Sequence, residues 1–437
     1  MRSRLPKVLH CLGGEPLLRH VLRTAKALQP DRIHVVYGHG GDEVRRAFED
    51  DAIDWVHQEK QLGTGHAVQR VLPGVDEDKQ VLVLYGDVPL ISAASLEALR
   101  ETGSETLAIM TTTVEHPGGY GRIVRGDAGE IRRIVEDRDA TEAERGIREV
   151  NTGFIAAPSG PLAAWLSRVG NDNSKGEYYL TDIVRIAVAT GSVVRHVVAV
   201  DRWEVAGVNK RSELALLERE YQKRRALELA DRGVTVLDPW RLDLRGEVEV
   251  GSDCVIDVNV VLEGPMVLGR NVRIGANCCL RRVQIGDDVE IRSNSVIEEA
   301  VVGKHARIGP FARVRPGTRV GEAVQVGNFV EIKNSHLESG AKVNHLSYVG
   351  DSSIGAHSNI GAGVITCNYD GARKHRTTIG DDAFIGSDSQ LVAPVRIGNG
   401  ATVGAGSTIT QDVPDNALAV SRSRQRNIAG WKRPSED

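Results

Sequence analysis

From residue 250 onward, aliphatic side chains return at every sixth position. Val250, Ile256, Leu262, Leu268 and Ile274 keep that step, and after a slip Ile285, Ile291 and Ile297 resume it. Val302, Ile308, Val314, Val320, Val326 and Ile332 carry it on, and Ile379, Ile385, Leu391, Ile397, Val403 and Ile409 form a last run. Glycine often follows directly, as at Gly251, Gly269, Gly275, Gly303, Gly309, Gly321, Gly327, Gly380, Gly386, Gly398 and Gly404. A period of six suits neither a helix of 3.6 residues per turn nor a hairpin meander. It predicts a parallel β-helix in which three hexads make one triangular turn. The aliphatic residue fills the axial stack, and the small residue after it lets the backbone turn the corner. The phase breaks between Thr366 and Thr378, where Cys-Asn-Tyr-Asp-Gly-Ala-Arg-Lys-His-Arg predicts a loop thrown out from one face, a place where function often sits.

The first half is patterned differently. Arg32–Gly38 and Gln80–Gly86 are short apolar runs ending in glycine, which predicts buried parallel strands. Helical stretches over Pro16–Leu28 and Gly63–Leu72 lie among them, so the reading is an α/β sheet with its ligand at the carboxyl ends of the strands. Asp87 follows one such end. Ser212 predicts the cap of a helix with Leu214, Leu217 and Tyr221 on one face, running to Gly233. Both charge signs are mixed over Glu218–Arg225, which favours a spacer over a membrane-surface helix. The division is an α/β domain over 1–205, a linker helix over 206–233 and a β-helix with its tail over 234–437.

Composition narrows the function. The chain has 437 residues, enough for two or three domains. Lys and Arg number 55 against 59 Asp and Glu, so there is no basic stripe for nucleic acid, and acidic small molecules must be met at local sites. Apolar runs such as Val81–Tyr85 fall far short of the roughly 18 residues of a membrane span, which excludes membrane insertion. Aromatic residues are only 4%, as a narrow axial core requires. The five cysteines, Cys11, Cys254, Cys278, Cys279 and Cys367, contain no CxxC pair and fit a reducing cytoplasm. Met1-Arg-Ser-Arg-Leu-Pro-Lys7 has no apolar segment behind it and is not a secretory signal.

Two constellations carry chemistry. Gly63-Thr64-Gly65 opens a helix whose backbone N–H groups suit an anion or a base edge. Asp87 at a strand end, with a distant oxygen ligand such as Asn209, suits Mg²⁺, which takes few protein oxygens plus phosphates; the alternative is a turn aspartate.

Motifs along nearly the whole chain resemble those of the bacterial bifunctional enzymes that make UDP-N-acetylglucosamine. They are Leu5-Pro-Lys7, Tyr37–Gly41, Gln61–Ala67, Leu84–Leu90, Gly119–Arg122, Asn151-Thr-Gly153 and Gly176–Asp182 in the first half. In the second half they are Arg315-Pro-Gly317, Gly327–Lys333, His345–Asp351, Asn359–Gly363, Cys367–Gly371 and Gly386-Ser387-Asp388. The resemblance implies a nucleotidyltransferase-like, Rossmann-like α/β domain followed by a left-handed parallel β-helix. It implies that the β-helix transfers acetyl from acetyl-CoA to glucosamine 1-phosphate with His345 as base. Arg315, Lys333, Tyr348 and Asn359 would bind the sugar phosphate, and Ala362, Asn368, Tyr369, Ser387, Ala405 and Arg422 acetyl-CoA. In the first domain, N-acetylglucosamine 1-phosphate would attack UTP, with Asp87 and Asn209 on Mg²⁺. Lys7 would contact a phosphate, Gln58, Gly63 and Thr64 the uracil, Gly121, Glu136 and Asn151 the sugar, and Tyr85 and Gly86 would line the same nucleotide site. A homotrimer in the bacterial cytoplasm, with acetyl sites between subunits, is implied as well.

The family's first strand and its loop Leu-Ala-Ala-Gly-x-Gly-Thr-Arg-Met, which cradles the triphosphate, have no counterpart here; Met1 aligns with the loop's last residue. One expectation is that the coding sequence starts upstream, which the upstream DNA decides. Another is a shortened enzyme that acetylates without uridyl transfer. A non-catalytic sugar-nucleotide scaffold and a different nucleotidyltransferase fused to a β-helix are further readings. The joint presence of Lys333, His345, Tyr348, Asn368 and Tyr369 argues against both.

Overall fold

The structure, a computed structural model, describes residues 1–38, 40–49 and 51–434. His39 of the Tyr37–Gly41 motif therefore lies outside the described residues. Two compact units divide the chain, Met1–Tyr221 and Gln222–Asp437.

In the first unit the strand Leu107–Thr113 is buried over six of its seven residues. It pairs parallel to Val194–Val198 on one side and antiparallel to Glu149–Pro158 on the other. Its pleat sends Leu107 and Ile109 to one core with Ile155, Leu162 and Ile183, and Ala108 and Met110 to another with Leu96, Leu99 and Phe154. Arg122–Arg125 and Ile131–Val135 extend this sheet, and Gln80–Val83 pairs with Glu149–Pro158. The expectation of two buried parallel strands needs correction. His34–Tyr37 is parallel to Asp54–His57 but only half-buried, in a separate two-stranded sheet; Gln80–Val83 is half-buried and antiparallel to its partner. A short apolar run encodes a strand that favours burial but not the direction of its neighbour, because both kinds of ladder accept the same side chains. The predicted helices occur at Leu17–Ala27 and Thr64–Val71, and the third spans Arg211–Asp231, so Ser212 lies inside its first turn and does not cap it. Within the first unit its Leu217 packs on Leu12, Leu17 and Val208.

The second unit is three parallel sheets of 11, 10 and 9 short strands. Val255 pairs with Arg273, Arg273 with Glu290 and Glu290 with Arg307, steps of 18, 17 and 17 residues, so a coil is three hexads or one residue short of that. The predicted aliphatics form one continuous core, with Val250 partly buried at its edge. Leu337, Val343, Val349, Ile354 and Ile360 continue the stack where the sequence pattern had slipped. Gln222 closes the first coil: its amide donates to the Leu244 carbonyl at 3.0 Å and accepts from the Leu244 N–H at 2.7 Å.

The role expected of glycine is also corrected. Gly251 does not turn a corner; a Cβ there would lie 2.6 Å from the Gly269 carbonyl oxygen in the next coil. Most left-handed corners fall elsewhere, at Asp253, Asn259, Asn271, Asn277, Asp288 and Asn294 among others, while of the hexad glycines Gly309 takes that conformation with φ of 93°. Coils stack about 4.8 Å apart, so a position facing the neighbouring backbone tolerates no side chain. Asn and Asp, whose short side chains bond locally, tolerate the left-handed conformation. Asn259 donates to Asn277 at 3.0 Å and Asn277 to Asn294 at 3.3 Å.

Among the described residues, no helix is long and apolar enough to cross a membrane.

Candidate active sites

In the first unit the predicted residues form a connected arc. The ammonium of Lys7 pairs with the Asp87 carboxylate and donates to Asn209 Oδ1 at 2.6 Å. Asp87 and Asn209 border a cavity of about 420 Å³ that Tyr85, Gly119, Tyr120, Trp203 and Glu213 also line. Burial pushes the Tyr85 phenol up to about 12, helped by the nearby negative charges of Glu136 and Asp87, so Tyr85 remains a donor. Gly86 lies under Leu18 and Val8, where a Cβ would come within 3.3 Å of each. Gly121 is close to Glu136, its carbonyl accepts the Asn151 N–H at 2.8 Å, and Asn151 Oδ1 is buried with no partner. A buried acceptor without a protein partner keeps its capacity to accept a hydrogen bond.

Glu136 titrates above the usual carboxylate range, chiefly because of burial; the Thr181 hydroxyl, 2.9 Å from Oε1, opposes that shift. A carboxyl raised in this way holds its proton more tightly folded than unfolded. Its charge therefore opposes folding above the unfolded pKa, and the penalty grows until pH has passed the folded one. Glu136→Gln keeps an acceptor for Thr181. Its first unit is expected to melt at a higher temperature than the wild type near about pH 8 and at the same temperature near about pH 4, as thermal scans at both will read.

Gln58, Gly63 and Thr64 sit at the start of the helix Thr64–Val71. Gln58 Nε2 donates to the Gly63 carbonyl at 3.1 Å. Gly63 has φ of 111°, and a Cβ there would lie 2.6 Å from the Tyr178 carbonyl oxygen. Tyr178 accepts from the Gly65 N–H at 2.8 Å, and Thr64 Oγ1 accepts from the Leu180 N–H at 3.1 Å. The segment Tyr178–Thr181 thus ties the Gly63 loop to Glu136. Thr181 was not singled out from sequence, although it lies within the Gly176–Asp182 motif.

In the second unit one corner column runs through several coils. The His345 carbonyl accepts from the Gly363 N–H at 3.1 Å, Ala362 from Asp388 at 2.8 Å and Ser387 from Gly406 at 2.9 Å. Ala405 then accepts from the Arg422 guanidinium at 2.7 Å. His345, Ala362, Ser387, Ala405 and Arg422 are therefore brought into line. Beside this column Glu331, Tyr348 and Ile365 pair in register, as do Lys333 and Gly350. Arg315 donates to Glu331 at 2.8 Å. Asn368 lies 3.5 Å from the Tyr348 hydroxyl and donates to Asp351 at 2.5 Å, while Asn334 donates to the other Asp351 oxygen at 2.6 Å. Asn359 stands apart, on the sheet of Lys342–His345, opposite Lys342.

The interruption after Cys367 is a tight loop. The Asp370 carboxylate accepts from the Arg373 and Ala372 N–H groups at 2.6 and 2.8 Å and lies 2.6 Å from His375 Nε2, contacts that hold it well below the usual carboxylate range. The exposed Tyr369 donates to Gly371 at 2.6 Å and pairs across the loop with Lys374. That pairing brings Lys374 beside Lys333, whose charge lowers the Lys374 ammonium below its usual range. Like charges placed together disfavour each other's charged form. Lys374 went unread in the sequence because it lies outside the hexad phase.

Residues 1–152 match the MobA-like NTP transferase domain, residues 244–328 the GMPPB C-terminal domain and residues 376–411 the bacterial transferase hexapeptide repeats. Fold and matches together define a nucleotidyltransferase unit joined to a left-handed parallel β-helix of the hexapeptide transferase class. The bifunctional protein GlmU of Alkalilimnicola ehrlichii is 54% identical over 436 residues, spanning 100% of this chain and 94% of that protein. Those of Stutzerimonas stutzeri and Acinetobacter baumannii strain ACICU are each 54% identical over 437 residues, spanning 100% of this chain and 96% of theirs. The chain belongs to this GlmU family of bifunctional enzymes of UDP-N-acetylglucosamine synthesis, which join an acetyltransferase and a uridyltransferase.

Proposed function

We propose that the second unit acetylates glucosamine 1-phosphate from acetyl-CoA and that the first joins the product to UTP with release of pyrophosphate. The observation that carries this reading is the line from His345 to Arg422 with the Lys333–Lys374 cation pair beside it. Lys333, Lys374 and Arg315 hold the sugar phosphate, Tyr348, Asn359 and Asn368 orient the sugar, and the corner column receives the coenzyme together with Tyr369. His345 takes the proton from the substrate amine, whose nitrogen then forms a bond to the thioester carbonyl carbon. The carbon–sulfur bond breaks, and the leaving thiolate takes up the proton from the His345 ring to give coenzyme A.

In the first unit the uridyl step rests on positioning and charge neutralisation. A divalent cation is expected from the class, and the donors suit it: a carboxylate and an amide oxygen converge on one cationic point, held here by the Lys7 ammonium. Among the described residues no cluster of three His, Cys, Asp or Glu side chains forms a metal cage. Mg²⁺ keeps waters and substrate phosphates beside a few protein oxygens, and when bound it would neutralise charge on the triphosphate. Lys7 contacts a phosphate, Gln58, Gly63 and Thr64 receive the uracil, and Gly121, Glu136 and the unpaired Asn151 oxygen meet the sugar hydroxyls, with Tyr85 and Gly86 beneath.

A homotrimer is the assembly. It is supported by the exposed ladder of Phe311, Phe329 and Leu346 and by the separation of Asn359 from the other sugar residues within one chain. The bacterial cytoplasm is the place, supplying cell-wall sugars. The test measures free thiol from acetyl-CoA and glucosamine 1-phosphate, and pyrophosphate from UTP and N-acetylglucosamine 1-phosphate with Mg²⁺, with light scattering on the same sample. Both products, at a mass three times the 47.3 kDa chain, are expected. Thiol without pyrophosphate would restrict the chain to acetyl transfer, and neither product would defeat the reading.

A further inference from the structure

We infer that Asn328 is the positioning residue that sets the tautomer of His345, an inference that rests on the acetyltransferase reading above. Asn328 ends the strand Gln325–Asn328, and His345 ends the strand Lys342–His345 one coil further on. The two are direct partners in the parallel ladder, and Asn328 Oδ1 lies 2.8 Å from His345 Nδ1. An amide oxygen has no proton to give, so Nδ1 carries the hydrogen of the neutral ring and the lone pair is left on Nε2. Among the described residues, no group bonds Nε2. The imidazole is thus presented outward as a base with its acceptor nitrogen free.

The local fold holds both partners in place. A Cβ on Gly327 would lie 1.9 Å from the Asn344 carbonyl oxygen, so the backbone of one strand fills the space beside the other immediately before the pair. The Asn328 carbonyl accepts from the Leu346 N–H at 3.1 Å. On the other side the Phe329 ring stacks on Phe311 with centroids 5.2 Å apart. The His345 carbonyl accepts from the Ser347 hydroxyl at 2.8 Å as well as from Gly363, which anchors the backbone from which the ring projects. Without the Asn328 oxygen, an exposed neutral imidazole divides between its two tautomers and turns about its side-chain bonds. Only part of the population then offers Nε2 to the amine. Asn328 touches neither substrate in this account and acts through the ring alone.

The experiment uses the full chain with ¹⁵N-labelled histidine, and the His345 ring signals are identified by difference from His345→Ala. In the wild type the neutral ring is expected to carry its proton on Nδ1. Asn328→Ala is expected to give mixed tautomers and to lower kcat for acetyl transfer about 10–100-fold, with KM for both substrates within about twofold. Asn328→Asp, which keeps the acceptor, is expected to keep the Nδ1–H tautomer and recover most of kcat. Thermal melting of each variant separates these effects from loss of folding. A wild-type ring protonated on Nε2, an Asn328→Ala variant with unchanged tautomer and kcat, or a folded Asn328→Asp variant as impaired as Asn328→Ala would overturn the inference. If His345→Ala itself retained acetyl transfer, the acetyltransferase reading would fail instead. An inactive His345→Ala beside a fully active Asn328→Ala would remove only the role of Asn328.

Discussion

Replacing His345 by alanine is expected to lower acetyl transfer about 10²–10⁴-fold while leaving pyrophosphate release from UTP unchanged. An ammonium has no lone pair with which to attack a thioester, so at neutral pH the reaction depends on a group that removes the proton. His345 stands at the head of the coenzyme column with Nε2 unengaged and has no role in the axial core, so its loss should cost little stability. The deficit should also shrink as pH rises, because the free amine becomes available without the base. Rates of thiol release followed over a pH series check this. A uniform deficit at every pH would mean that His345 binds substrate without moving a proton.

Replacing Asp87 by alanine is expected to lower uridyl transfer about 10²–10³-fold, with acetyl transfer intact. Two effects act together. The carboxylate supplies the anionic oxygen of the proposed cation site, and it also restrains Lys7, which it shares with Asn209. Asp87→Asn separates them: it keeps an oxygen near Lys7 but removes the charge, so it should remain nearly as defective as alanine if charge dominates. Pyrophosphate release titrated with Mg²⁺ reads both variants. A normal rate for Asp87→Ala at saturating Mg²⁺ would dismiss the assignment.

The β-helix was legible because each coil spends three residue positions on the same axial environment, and a period that no other element shares repeats it many times. What each glycine does was not legible. Period six places Gly251 directly after a hexad aliphatic but does not distinguish a corner from a position pressed against the next coil. Only the three-dimensional stack separates that role from the left-handed corners at Asp253 and Asn259. Contacts between coils were hidden for a related reason. Asn328 and His345 are one coil apart, so their pairing needs a coil count through a region where the hexad phase slips. Lys374 lies in an interruption that obeys no period. Ala362 and Ala405 enter only through family resemblance, because their column is made by backbone carbonyls. In the first unit, strand-like runs and the Gly63 loop were readable, but the direction of pairing at Gln80–Val83 was not, since it depends on a partner more than sixty residues away.

The stacking of coils makes the second unit a ruler with fixed graduations. From His345 to Ala405 the column climbs three coils, which at about 4.8 Å each is roughly 14 Å. Distance along this axis changes only by whole rungs, because each rung is locked to the next by its ladder of backbone bonds. The loop after Cys367 respects this scale. Tyr348 still pairs with Ile365 and Ile365 with Gln390, while Ser352 pairs with Thr377, so the extra residues leave the count of rungs untouched. A surface of this kind measures the length of whatever lies along it. Insertions on its flank can alter what is recognised beside the scale without altering the scale itself.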